Sequence, residues 1–94
     1  MSAAVIRYQT KPEAADENQR LIEKVFAELA TAAPPGLTYS SFRLADGVTF
    51  VHVFDGEGVT DLAAFQEFQR TLPDRLAVAP VLEDATRVGS YLAR

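Results

Sequence analysis

The side chains with the clearest chemical potential lie in the segment 37–55, which reads LTYSSFRLADGVTFVHVFD. Asp46-Gly47 divides it into two runs rich in β-branched and aromatic residues, a pattern typical of a β-hairpin. A two-residue turn there predicts four facing pairs: Ala45 with Val48, Arg43 with Phe50, Ser41 with His52, and Tyr39 with Phe54. Because side chains alternate across a strand, the last three pairs share one face of the hairpin.

His52 is the first candidate for acid–base chemistry, since an imidazole titrates near neutral pH. In a catalytic interpretation His52 takes a proton from the substrate and Tyr39 orients that substrate, so the candidate catalytic residues are His52 and Tyr39. The alternative is an interior histidine whose ring is hydrogen-bonded to Ser41 or to a backbone carbonyl, because buried polar groups normally have partners.

The candidate substrate-binding residues are Ser41, Arg43, Phe54, Phe65 and Phe68. The guanidinium of Arg43 could bind a carboxylate or phenolate, although its place near the turn equally favours a solvated or salt-bridged side chain. Phe65 and Phe68, together with Phe26, could line a flat aromatic pocket, but their helical spacing is equally typical of core packing. The tyrosines at positions 8 and 91 could orient a phenolic substrate or belong to the core. The pairs Asp74-Arg75 and Glu83-Asp84 are predicted to be surface charges.

Composition excludes several classes of function. Nine basic against thirteen acidic residues, scattered along the chain and giving a net charge of -4, argue against a nucleic-acid partner. The absence of a polybasic helix and of a long apolar run argues against a membrane partner. With no cysteine and one histidine, no metal site is predicted, and no cofactor motif is found. The opening MSAAVIRYQ lacks the pattern of a signal peptide, so we expect a cytoplasmic protein.

Hydrophobic periodicity predicts the elements that position these residues. The first helix carries an apolar stripe at steps of three and four residues, and Thr10 to Glu13 has the form of a capping box before it. Thr60 is the predicted N-cap of the second helix, and a connector containing Pro80 precedes the last strand. The predicted elements are a strand at Ala4–Gln9, a helix at Glu13–Ala33, the hairpin, a helix from Asp61 to Leu72, a short turn at Asp74–Val78, a connector at Ala79–Asp84 and a strand at Ala85–Ala93.

The order of these elements predicts an α+β fold, a ferredoxin-like βαββαβ antiparallel sheet in a single domain spanning residues 1–94. Right-handed crossovers place both helices on one face of the sheet. The other face is also apolar, which predicts that a second copy covers it. Val51 and Val53 with Phe42 and Leu44 form the smoother surface for helices, so we expect His52 to point away from them.

The chain resembles the dimeric α+β barrel superfamily, and within it the uncharacterised bacterial proteins similar to antibiotic biosynthesis monooxygenases. The resemblance lies in RYQTKPEAADENQRLIEKVFAEL (7–29), GLTYSSFRLADGVTFVHVF (36–54), LAAFQEFQRTL (62–72) and VGSYLAR (88–94). It implies that two sheets close into a barrel across a homodimer, with ligand pockets between each sheet and its helices.

The resemblance also implies what such proteins do: they include cofactor-free quinone-forming oxygenases, haem-degrading oxygenases and small isomerases. Their sites use Trp, Asn or His at particular places, whereas this chain has no Trp, one Asn (Asn18) and one His (His52). No catalytic residue is therefore carried over. Two functions stay open: a cofactor-independent enzyme acting on a small aromatic or quinone-like compound, and a non-catalytic dimeric binding or accessory protein. A haem-handling role is a weaker third option.

Overall fold

A computed structural model describes residues 3–91 of the chain. Its strands are β1 (Ala3–Thr10), β2 (Thr38–Arg43), β3 (Thr49–Asp55) and β4 (Leu76–Ala85), and its helices are α1 (Ala15–Ala32) and α2 (Ala63–Thr71). Three short 3-10 turns, Pro12–Ala14, Val59–Asp61 and Leu72–Arg75, adjoin the helices. The predicted order βαββαβ is confirmed.

The four strands form one sheet in the order β2-β3-β1-β4, and every neighbouring pair is antiparallel. The two central strands, β1 and β3, pair from Ala3 opposite Asp55 to Gln9 opposite Thr49. This is the ferredoxin-like arrangement expected from the sequence. The buried core lies between the sheet and the helices and contains Tyr8, Val25, Phe50, Phe65 and Phe68.

The register predicted for the hairpin is confirmed, but its turn is wider than predicted. Tyr39 pairs with Phe54, Ser41 with His52, and Arg43 with Phe50. The strands stop one pair short of the turn, and Gly47, with φ of 79°, is the turn residue in the left-handed region. Its N–H donates to the carbonyl of Leu44 over 2.9 Å, and the Asp46 carboxylate accepts the N–H groups of Val48 and Thr49. A two-residue type I′ turn would need positive φ at both central residues, so Asp46 caps a longer loop instead.

The expectation that His52 points away from the helices is wrong. Its ring lies 5.6 Å from that of Phe68 on α2, and the residue is 2% exposed. The face with Tyr39, His52 and Phe54 therefore carries the helices, and the face with Phe42, Val51 and Val53 is left uncovered. The larger aromatic rings fill the space under two helices better than valines do, and the buried imidazole finds partners there.

The last strand was predicted at Ala85–Ala93 and lies instead at Leu76–Ala85. Pro80 caused the error, because proline is normally excluded from strands that pair on both sides. The strand β4 is an edge strand, and its pairing with β1 skips from Val81 opposite Arg7 to Val78 opposite Gln9. Pro80 thus falls in an irregularity where no ladder bond from its nitrogen is required. Residues 86–91 form no strand, and 92–93 lie outside the described residues.

The helix ends depend on partners far away in the sequence. The predicted caps of Thr10 and Thr60 make no capping hydrogen bond. The amide groups of Ala63 and Ala64 at the start of α2 instead donate to the carboxylate of Glu28 on α1, over 3.2 and 2.8 Å. A negative charge at a helix N-terminus is favourable, so Glu28 both caps α2 and joins the two helices.

Candidate functional site

The centre of the site is the imidazole of His52, which lies between two tyrosines. Its Nε2 is 2.8 Å from the hydroxyl of Tyr8, and its Nδ1 is 2.7 Å from the hydroxyl of Tyr39. Strand pairing produces this arrangement, because β3 lies between β1 and β2 and all three side chains point to the helix face. The two candidate catalytic residues, His52 and Tyr39, are thus hydrogen-bonded to each other, whereas Ser41, opposite His52 in the ladder, is not a hydrogen-bond partner of His52.

Two further residues extend this cluster into the core. Asn18 on α1 donates from Nδ2 to the Tyr8 hydroxyl over 3.0 Å, and Arg75 donates from Nε to the Oδ1 of Asn18 over 2.9 Å. Arg75 also donates to the hydroxyl of Thr71 and the carbonyl of Phe68, and its guanidinium lies 5.3 Å from the centre of the Phe68 ring. The prediction that Arg75 is a surface charge is wrong: it is 5% exposed.

Aromatic rings surround the cluster. Tyr39 stacks between Phe26 at 4.7 Å and Phe54 at 4.2 Å, measured between ring centres. Phe54 meets Phe65 edge to face at 6.0 Å, and Phe65 lies 6.2 Å from Phe68. Of the predicted site residues, the structure brings together His52, Tyr39, Phe54, Phe65 and Phe68.

Burial keeps the three central groups neutral. Desolvation lowers the pKa of His52 from 6.5 to about 4 and raises the pKa of Tyr8 to about 12. The pKa of Tyr39 is raised well above its ordinary value by desolvation and, to a smaller extent, by Tyr8. Burial also lowers the pKa of Arg75, while nearby Tyr8, Asp74 and Glu67 oppose that change. At neutral pH the cluster therefore holds one neutral imidazole and two intact phenols.

Three cavities adjoin the cluster or its neighbours. The first is an open cleft of about 350 Å³ between the end of α1 and β2, which we call the Tyr39 cleft; its walls are Phe26, Leu29, Ala30, Ala33, Pro34, Leu37 and Tyr39. The second, of about 110 Å³, lies under α2 and includes Tyr8, His52, Phe54, Phe65 and Phe68 in an almost entirely apolar wall. Of the first and second cavities, only the Tyr39 cleft is large enough for a small aromatic molecule.

Ser41 and Arg43 lie elsewhere, beside a third cavity of about 250 Å³. Arg43 donates to Asp16 over 3.1 Å, to Gln19 over 2.8 Å and to the carbonyl of Gly47 over 2.9 Å. Its guanidinium lies 5.6 Å from the centre of the Phe50 ring. These contacts fasten the hairpin to α1 and leave the guanidinium already paired, as the salt-bridged interpretation predicted.

Among residues 3–91, no three His, Cys, Asp or Glu side chains are grouped so as to hold a metal ion. In that same part of the chain, neither helix is both long and apolar enough to span a membrane.

Comparison with known proteins places the fold. No protein-family model and no curated protein sequence matches the chain. A protein from Nitrosomonas europaea, assigned to the antibiotic biosynthesis monooxygenases, aligns with a TM-score of 0.79 at 12% identity, covering 95% of this chain and 100% of that chain.

Two further structures support the same fold. An antibiotic biosynthesis monooxygenase aligns with a TM-score of 0.74 at 16% identity, over 95% of this chain and 100% of its own. A variant of SnoaB, a cofactor-independent oxygenase from Streptomyces nogalater, aligns with a TM-score of 0.66 at 14% identity, over 95% and 94% of the two chains. The fold predicted from the sequence, that of the antibiotic biosynthesis monooxygenase structures, is thereby confirmed.

Proposed function

We propose that this protein binds a small, flat, mainly apolar compound with one polar oxygen, such as an aromatic ketone or quinone, in the Tyr39 cleft. The observation that carries this proposal is the position of Tyr39, which belongs both to the wall of the cleft and to the buried hydrogen-bond cluster. Phe26 and Leu29 supply apolar contact area in the same wall, and Tyr39 is the side chain there with a hydroxyl.

Tyr39, rather than His52, is the group that contacts the ligand in this proposal. Both ring nitrogens of His52 are already hydrogen-bonded to tyrosine hydroxyls. A pKa of about 4 also makes His52 a weak base at neutral pH. We therefore assign His52 the role of positioning Tyr39, in place of the proton abstraction considered from the sequence.

The catalytic form of this function is a cofactor-independent, monooxygenase-like reaction with dioxygen as the oxidant. A CH2 group of an aromatic ketone becomes a carbonyl with one oxygen atom, and the other oxygen atom leaves as water with the two hydrogens. The Tyr39 hydroxyl stabilises the negative charge that develops on the ligand oxygen when the ligand first loses a proton to solvent. The fold shared with the oxygenase SnoaB supports this form by analogy. The low pKa of His52 favours the second candidate, a non-catalytic binding protein, because that role needs no base. The same cleft serves both.

We further propose that the protein is a cytoplasmic, single-domain homodimer joined through the uncovered face of the sheet. Phe42 is 53% exposed and Val81 is 57% exposed on that face. In the row across the sheet Val51 and Arg7 lie between them, and Val5 and Val53 lie in the next row on the same face. A chain of this size buries a thin core of its own, and a second copy would remove this apolar surface from water.

Binding can be tested with 2-methyl-1,4-naphthoquinone as the probe, by calorimetry and by quenching of tyrosine fluorescence, which is clean because the chain has no tryptophan. We expect saturable binding that weakens about fivefold in Tyr39→Phe, since the lost hydrogen bond is worth about 1 kcal/mol. Tyr91→Phe is the matched control, because Tyr91 is 91% exposed. Equal affinity in the parent and Tyr39→Phe, or no binding in the parent, would refute the proposal.

A further inference from the structure

A continuous hydrogen-bond chain crosses the core from Arg75 through Asn18, Tyr8 and His52 to Tyr39. Its successive donor–acceptor distances are 2.9, 3.0, 2.8 and 2.7 Å. It joins α1 and the segment after α2 to three of the four strands, β1, β3 and β2. Four of its five members are at most 5% exposed, so water competes little for their polar atoms.

The direction of this chain is fixed at the Arg75 end. A guanidinium can only donate, so the Asn18 atom that faces it must be the carbonyl oxygen. The other Asn18 atom is then the amide nitrogen, which can only donate, and it faces the Tyr8 hydroxyl. The oxygen of Tyr8 therefore accepts from Asn18, and its own proton must go to another partner.

That partner is Nε2 of His52. Among the described residues the Tyr8 hydroxyl has two hydrogen-bond partners, Asn18 and His52. If Nε2 carried a proton, Tyr8 would accept twice and its own proton would be buried without an acceptor, which is unfavourable. Tyr8 thus donates to a bare Nε2, and the proton of the neutral imidazole resides on Nδ1.

We infer that Arg75 and Asn18 are positioning residues that hold His52 in the Nδ1–H tautomer and thereby leave Tyr39 with a proton to donate. The Nδ1–H group donates to the Tyr39 oxygen, and within residues 3–91 the Tyr39 proton has no acceptor. The ligand part of the inference rests on the proposed function. A molecule bound in the Tyr39 cleft is then selected for an acceptor oxygen, as in a quinone, over a hydroxyl donor.

Replacing Asn18 by Asp should reverse the chain. A carboxylate accepts from Arg75 on one side and from the Tyr8 hydroxyl on the other. Tyr8 would then accept from His52 Nε2, which must gain a proton. In the neutral ring the Tyr39 hydroxyl would turn to donate to Nδ1, and its oxygen would be left to accept from a ligand. The substitution is nearly isosteric, and Arg75 compensates its charge.

Nitrogen-15 NMR measures this directly, since the single histidine gives one pair of ring-nitrogen signals. We expect a protonated Nδ1 and a bare Nε2 in the parent, the same pattern in the control Gln66→Glu on the exposed side of α2, and a protonated Nε2 in Asn18→Asp. A protonated Nε2 in the parent overturns the inference. So does an unchanged Nε2 in a folded Asn18→Asp. If that variant does not fold, the parent spectrum decides.

The ligand arm compares 2-methyl-1,4-naphthoquinone with 2-methyl-1-naphthol. We expect the parent to prefer the quinone by at least fivefold and Asn18→Asp to reduce that ratio by a similar factor, the size of one hydrogen bond. An unchanged ratio in a tautomer-switched variant overturns the ligand part of the inference. If the parent binds neither compound but its imidazole carries the proton on Nδ1, the proposed function is refuted and the tautomer assignment stands.

Discussion

The Nε of Arg75 lies 2.9 Å from the Oδ1 of Asn18, and this contact joins the segment after α2 to the buried side of α1. Residues 18 and 75 are 57 positions apart, and both side chains are at most 5% exposed. A buried arginine is costly unless its donors are paired, and here the amide of Asn18, the hydroxyl of Thr71 and the carbonyl of Phe68 pair them. The contact therefore supports both the fold and the site.

Replacing Arg75 by Met should lower the free energy of unfolding by about 2 to 4 kcal/mol. The methionine retains apolar volume, but the Asn18 and Phe68 oxygens lose their donors inside the core. Urea unfolding followed by circular dichroism measures the change. Arg70→Met is the matched control, because Arg70 is an exposed residue that pairs with Glu67 one turn away, and we expect a loss under about 0.5 kcal/mol there. Equal losses in the two variants would contradict a structural role for the buried contact.

The sequence could predict what depends on local pattern. The hairpin register follows from Asp46-Gly47 and strand alternation, and both helices follow from apolar spacing. The edge strand β4 could not be placed, because tolerance of Pro80 depends on a register shift against β1 that is invisible in the segment itself. The capping role of Glu28 was missed for the same reason, since its partners lie 35 and 36 residues away.

In the candidate site, too, the residues with local signals could be predicted and those with distant partners could not. His52 and Tyr39 were predicted together because they are near neighbours on paired strands. From the sequence Tyr8 is predicted either to orient a phenolic substrate or to belong to the core, with no link to His52. Arg75 is predicted on the surface, because nothing local marks an arginine whose acceptor is on another helix. The useful signal was the single asparagine, Asn18, on the apolar side of an amphipathic helix, where a polar residue implies a buried partner.

Acid should destabilise the fold through His52. The pKa of His52 is lowered to about 4 by burial, whereas the unfolded chain has the ordinary value of 6.5. Between these pH values the unfolded chain binds a proton that the folded chain does not, so its contribution to stability is complete above pH 6.5 and decreases as pH falls towards 4. Between pH 7 and pH 4.5 the parent should lose about 2 kcal/mol more than a His52→Gln variant, which has no titrating ring.

Unfolding curves in urea at half-unit pH steps measure this difference. The carboxylates are common to both proteins, so their contribution to the pH dependence of stability cancels when the two slopes are compared. One of them is Asp46, whose pKa is lowered by its hydrogen bonds to Thr49 and Val48. Parallel pH profiles for the parent and His52→Gln would show that the imidazole is not buried as a neutral ring.

The uncovered face of the sheet should determine the oligomeric state. Phe42 on β2 and Val81 on β4 expose more than half of their surface, and the half-buried Val51 and Val53 lie on the same face. Apolar area removed from water contributes about 25 cal/mol per Å², so a two-fold contact through this face would stabilise a dimer at micromolar concentration. Sedimentation should therefore give about twice the 10.3 kDa chain mass.

Phe42→Glu should convert that dimer to a folded monomer, because only the dimer would remove the new carboxylate from water. Position 42 is exposed in the single chain, so the far-ultraviolet spectrum should be unchanged. Ala27→Glu, an exposed site on α1, is the matched control and should remain dimeric. A parent that sediments as a folded monomer, or a dimer that survives Phe42→Glu, would mean that the sheet face is not the interface.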